Sequence, residues 1–146
     1  MAEGLLAREP IANYGEFRAY HRRERRELAF EAFREGDGRA WLLRVPVEAR
    51  HTMAGLLRDV GPMVGDGRRL ATDTTGVLRR VTLGPRDQLA AVVLEDGPDR
   101  AFALWRQEEL RSGWSWTIDV VVVPLALAEG LCQLTLHALD QVRAAH

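Results

Sequence analysis

A proline set between a strand pattern and a helix pattern constrains this chain more than any other feature. The run 113–137 reads GWSWTIDVVVVPLALAEGLCQLTLH. Trp114, Trp116, Ile118, Val120 and Val122 fall on one face of an extended strand, and Ser115, Thr117 and Asp119 on the other. Such period-two alternation in a β-branched and aromatic run predicts a strand, with the two tryptophans among the core residues. Pro124 ends it, because proline has no N–H to give a ladder. Leu127, Leu131, Leu134, Ala138 and Val142 then recur at three- and four-residue steps, which is one helical face.

A fainter copy lies upstream. With Pro46 set on Pro124, Val45-Pro46-Val47 matches Val123-Pro124-Leu125 without a gap. Ala49 then falls on Leu127, Met53 on Leu131 and Leu56 on Leu134. Strand patterns at 17–26, 28–34 and 40–45 precede the first proline, with a glycine turn at Gly36-Asp37-Gly38. A helix at 48–60 follows and stops at Gly61-Pro62. Strands at 77–83, 89–95 and 101–107, separated by turns at 84–87 and 96–99, lead to the second unit. The expected division is an N-terminal arm or helical turn at 1–15, a first strands-plus-helix unit at 16–62, a linker at 63–76 and a second unit at 77–146. Antiparallel strands followed by a helix make an α+β fold. Two such units would pack helix to helix as an intramolecular pseudo-dimer, leaving two curved sheets facing outward.

Composition narrows the chemistry. With 47% hydrophobic residues the chain can bury a core, and its net charge of −1 favours no class of partner. All twenty basic residues are arginine, which suits phosphates and base stacking; a GC-rich genome explains the bias equally well. The single cysteine, Cys132, allows no intrachain disulfide and fits a reducing cytoplasm as a small core residue. Its neighbour in sequence, His137, lies about 500° further round a helix, so the two make no catalytic pair. His21, His51, His137 and His146 lack metal-ligand spacing. The Gly36-Asp37-Gly38-Arg39 and Gly65-Asp66-Gly67-Arg68 runs lack the third glycine of a dinucleotide loop and the lysine of a P-loop. The N-terminus has no signal-peptide pattern and no run is long enough to span a membrane. No cofactor and no catalysis are expected on these grounds.

The strongest binding signal is FRAYHRRERR at 17–26, where Arg18, Tyr20, Arg22, Arg23, Arg25 and Arg26 mix arginine with an aromatic ring. Aromatic and guanidinium planes stack on bases, and arginines hold phosphates. The competing reading is a solvated strand whose arginines pair with Glu24, Glu27, Glu31 and Glu35. Arg79 and Arg80, with Arg68 and Arg69, form a second basic set. Trp105, flanked by Arg106, is the better-placed tryptophan for stacking, and Trp41 could serve either role.

The order of strands, polar-tipped hairpin, apolar strand and closing helix resembles the PC4 and Pur (purine-rich-element-binding) single-stranded nucleic-acid binders, with a Whirly-like organisation of two fused halves. The matching residues are Leu104 to Glu109, Gly113 to Trp116 and the Pro124-Leu125 corner in the second half. In the first half they are the basic strand and the Val45-Pro46 corner. The resemblance implies non-catalytic binding of single-stranded DNA or RNA on exposed sheet faces, in transcription or genome maintenance. The alternative is a protein-interaction or secretion-chaperone-like module, in which the same faces bind another protein or form a homodimer.

Overall fold

A computed structural model of the chain describes residues 4–65, 76–96 and 99–142. Eight strands and two helices follow one another as β1 (Leu5–Ile11), β2 (Gly15–Arg22), β3 (Glu27–Arg34), β4 (Ala40–Pro46), α1 (Arg50–Gly65), β5 (Val77–Gly84), β6 (Asp87–Asp96), β7 (Asp99–Glu109), β8 (Ser115–Pro124) and α2 (Ala128–Asp140). The fold is α+β. All eight strands join one antiparallel sheet in the order β1-β2-β3-β4-β8-β7-β6-β5, so each half contributes a meander and the last strand of each meets at the middle. The expectation of two separate sheets is therefore corrected to one.

Both helices lie on the same sheet face. Phe17, Leu28, Phe30, Leu43, Leu89, Phe102, Leu104, Val121 and Val123 form one buried cluster with Met53, Leu56, Leu57 and Val60 of α1 and with Leu131 and Cys132 of α2. Burial of these side chains, at about 1.5–3 kcal/mol each, is the main force assembling the halves. Cys132 is wholly buried, and burial pushes its thiol up to about 12, so it is a core residue and no nucleophile.

The two proline corners have one geometry. Pro46 has φ −61° and ψ 140°, and Pro124 has φ −54° and ψ 143°. Each is followed by a single 3-10 turn, Val47–Ala49 or Leu125–Leu127, and then by its helix. Proline presets the extended φ and withholds an N–H, which turns the chain out of the sheet onto its helix-bearing face.

Four local expectations change. Residues 5–11 form edge strand β1 rather than an arm, paired with β2 from Leu5↔Tyr20 to Ile11↔Gly15. Gly15 opens β2 where any Cβ would collide with the Phe33 carbonyl oxygen, so only glycine allows that close approach. The strand read at 17–26 ends at Arg22; Arg23–Arg25 form a 3-10 turn and Arg26 is left-handed at φ 49°. Helix α1 passes through Pro62 to Gly65, because Pro62 sits on an exposed turn near the helix end, where one lost bond is offset by packing of Val64. The linker proposed at 63–76 thus begins as helix; residues 66–75, including Arg68 and Arg69, lie outside the described residues. Along β8 the buried positions are Val121 and Val123, with Trp114 at 74% and Trp116 at 60% exposure. A bulge opposite Arg106 and Gln107 shifts the alternation and puts Trp116, paired with Glu108, on the side of Val121 and Val123, but both tryptophans are exposed and neither is core.

Candidate functional site

The middle of the sheet is thinly closed. β4 and β8 share a single registered pair, Leu42↔Val120, whereas every other neighbouring pair of strands has a long ladder. Side chains take over the missing backbone bonds on one side of that pair. The Asp119 carboxylate accepts from the Arg44 backbone N–H at 3.0 Å, from Arg44 Nε at 3.1 Å and from Arg44 Nη2 at 3.0 Å. Its side chain is only 9% exposed. Arg106 donates to Asp87 through Nε at 3.0 Å and Nη2 at 2.8 Å, and through Nη1 to the Arg44 carbonyl at 2.6 Å. The Asp119 carboxylate raises the Arg44 guanidinium above its ordinary value, chiefly by hydrogen bonding. One bidentate arginine–carboxylate pair, Arg44–Asp119, thus clamps the halves together, and Arg106, anchored on Asp87 of its own half, adds a second tie through the Arg44 carbonyl.

On the other side of Leu42↔Val120 the strands diverge into a cleft of about 700 Å³. Tyr14, Arg34, Arg39, Trp41, Arg100 and the 122–126 segment line it. The Tyr14 hydroxyl donates to the Val122 carbonyl at 3.4 Å, and the Trp41 side chain hydrogen-bonds the phenol. Burial pushes the phenol above its ordinary value of 10.0; Arg34 opposes the shift and Asp37 adds to it. The Arg39 guanidinium stacks over the Trp41 ring at 5.3 Å from its centroid. Arg34 lies 3.8 Å from Asp37, and Arg100 pairs with Glu95 at 2.9 Å.

A second basic feature is the turn joining β2 to β3. Arg22, Arg23, Glu24 and Arg25 line a shallow cavity of about 390 Å³ there. Arg22 reaches Glu27 at 3.4 Å, while among the described residues Arg23, Arg25 and Arg26 have no ion pair. The Arg26 carbonyl accepts from Val47 N–H at 2.9 Å, which fixes the turn to the start of the first proline corner.

The residues singled out in sequence are scattered by the fold. Arg18 pairs with Glu16 at 3.0 Å and Glu31 at 3.4 Å and lies over Phe33 at 5.9 Å, so it is held within β2 and β3 as the solvated-strand reading has it. Tyr20 is half-buried on the same strand. Arg79 and Arg80 are exposed on edge strand β5, across the sheet from the turn. Arg80 and Trp105 meet in a shallow apolar hollow with Val92 and Leu94 on the face away from the helices, and Trp105 Nε1 donates to Thr117 at 3.0 Å. Arg106 is the correction that matters most: its fork is committed to Asp87 and the Arg44 carbonyl, so it belongs to the clamp and not to a binding surface. The cleft went unread in sequence because its lining comes from separate segments; the only sequence signal was Trp41 two residues from Arg39. Among the described residues, no cluster of His, Cys, Asp or Glu is arranged to hold a metal ion and no helix is long and apolar enough to cross a membrane.

No protein-family model matches the chain. It is 33% identical over 128 residues to a protein of Methanopyrus kandleri named "Probable tRNA pseudouridine synthase B", an alignment covering 87% of this chain and 33% of the relative. The chain therefore spans about a third of that relative's length. The relative is named as an enzyme that acts on tRNA. That overturns the reading of a non-catalytic single-stranded binder, and with it the non-catalytic interaction module. Absence of a familiar nucleophile or metal motif in sequence was too weak a ground for excluding an enzyme.

Proposed function

We propose that the chain acts on folded RNA of the tRNA class as part of RNA-modification chemistry, with the arginine turn after β2 gripping the phosphate backbone. The observation that carries this is the 33% identity over 128 residues to a protein named for tRNA modification. The turn supports it. Arg23, Arg25 and Arg26 project from one loop with Glu24 as its only acid, and Arg26 keeps a left-handed backbone that glycine would adopt at lower cost. Salt-dependent contacts of this kind supply most non-specific affinity for nucleic acid.

Size also favours a folded target. The arginine turn and the cleft stand at opposite ends of β3, Glu27–Arg34, which at about 3.3 Å per residue separates them by roughly 25 Å. A folded RNA bridges that span, whereas a mononucleotide does not. On this reading the protein works in the cytoplasm, and its two strand–helix units act as the halves of a pseudo-dimer around one RNA.

The test uses an unmodified tRNA transcript carrying tritium at uridine C5. The purified chain should bind it with strong salt dependence, tighter than an unstructured oligonucleotide of equal length, and release tritium above the protein-free blank. Equal affinity for the unstructured strand together with no tritium release would refute the reading.

A further inference from the structure

We propose that the cleft between β4 and β8 is a pocket for one unstacked nucleotide, with its base against Trp41 and the apolar wall and its phosphate between Arg34, Arg39 and Arg100. The inference rests on the RNA reading above and names the part of the ligand that this site takes.

The cleft exists for a backbone reason. Registered pairing between β4 and β8 stops at Leu42↔Val120, so the carbonyl of Val122 has no ladder partner in β4. The Tyr14 hydroxyl takes that carbonyl, and the strands stand apart around it. The resulting volume of about 700 Å³ lies within the roughly 300–1,000 Å³ of ordinary ligand pockets.

Its lining divides in two. One wall is apolar, from Val123, Pro124 and Leu125, with the Trp41 ring beside it. The rim is cationic, from Arg34, Arg39 and Arg100. An aromatic ring carrying an anion satisfies both parts, and a nucleotide is that chemistry. Arg39 already covers the Trp41 ring at 5.3 Å, so a base entering the cleft either stacks on the guanidinium plane or displaces it toward the phosphate. The Arg39 backbone N–H donates to Asp37 at 2.9 Å, but among the described residues its guanidinium has no carboxylate partner. Arg34 and Arg100 hold theirs at exposed positions, where ion pairs contribute little and a phosphate competes readily.

The location fits chemistry on RNA as well. An enzyme that modifies a base must first take it out of the stack, and the extruded base is then held by aromatic and apolar side chains in a pocket. A cleft at one end of β3 and a phosphate grip at the other allow one RNA to be held and one nucleotide to be drawn out.

The experiment titrates the protein with uridine 5′-monophosphate, uridine and inorganic phosphate by calorimetry, and with the tRNA transcript by anisotropy. The variants are Arg39→Gln and the double R39Q/R100Q, both at exposed side chains, with thermal melts checked against the parent. The monophosphate should bind at least tenfold tighter than either uridine or phosphate alone, and the double variant should weaken it at least tenfold. Equal binding of phosphate and monophosphate, or a double variant indistinguishable from the parent, would overturn the proposal. If the transcript is bound and modified while the double variant changes nothing, the cleft assignment fails and the RNA reading stands. If the monophosphate behaves as expected but the transcript is not bound, the RNA reading fails and the cleft remains a site for free nucleotide.

Discussion

The arginines of the clamp and the arginines of the turn share a side chain and almost nothing else. Arg44 and Arg106 each meet a little-exposed carboxylate in a fixed fork, and through Asp119 and the Arg44 carbonyl they bridge the seam where β4 and β8 lack a ladder. Arg23, Arg25 and Arg26 meet water, on a loop tied to the fold by backbone bonds alone. The cleft stands between these extremes: Arg34 and Arg100 have acids within reach, and Arg39 lies on an indole. A guanidinium's role here follows from whether a buried carboxylate faces it. Residue type and local charge density, the two things visible along the chain, do not decide it.

The sharpest way to break this contrast is to remove a clamp carboxylate. Asp119→Ala leaves Arg44 half-buried and unpaired and strips the acceptor from a backbone N–H, so a loss of about 3–5 kcal/mol is expected in denaturant melts. A loss below about 1 kcal/mol would mean the seam is closed by apolar packing instead. At the turn the effects reverse. Replacing Arg23, Arg25 and Arg26 together with Gln should change stability by no more than about 0.5 kcal/mol. It should also make the log–log salt slope of RNA affinity shallower by about two to three. An unchanged slope would exclude the turn from the interface.

The smallest expected effect concerns Glu16 at the exposed edge. Hydrogen bonds from Arg18, then from Arg8, hold its carboxyl below the ordinary value of 4.5. A depressed folded value contributes stability at pH above 4.5 that is lost as pH falls through the folded value. Wild type and Glu16→Gln should therefore differ slightly at neutral pH and converge in acid, as followed by thermal melts from pH 6 to 3. A difference that grows in acid would contradict this.

The strands from β3 to β8, the turns, the proline corners and buried Cys132 were legible because each rests on local chemistry: alternation, positive φ at glycine, a missing N–H; β1, with its weak alternation, was not. The face of β8 was not. Alternation cannot reveal a bulge, and one extra residue before Asp119 reverses which side Trp114 and Trp116 present. Nor could the chain reveal that Asp119 would reach Arg44, a pair that forms only once β4 meets β8, or that Arg106 would turn back onto Asp87 across the β6–β7 hairpin. Arg106 looked like a ligand contact beside Trp105 for that reason. The cleft was hidden in the same way, as a product of where pairing stops.

Joining two meanders at their last strands leaves β1 and β5 as the outer edges of the sheet. Both are irregular: the register slips between Leu5 and Ala7 in β1, and between Val77 and Arg79 and again between Thr82 and Gly84 in β5. Pro10 withholds a donor from the first, and Arg79 and Arg80 stand exposed on the second. Bulges, a proline and unburied charge are what keep an open sheet from adding strands of a second molecule. Charge at Arg79 and Arg80 makes this edge a poor template for strand addition by a second copy of the chain.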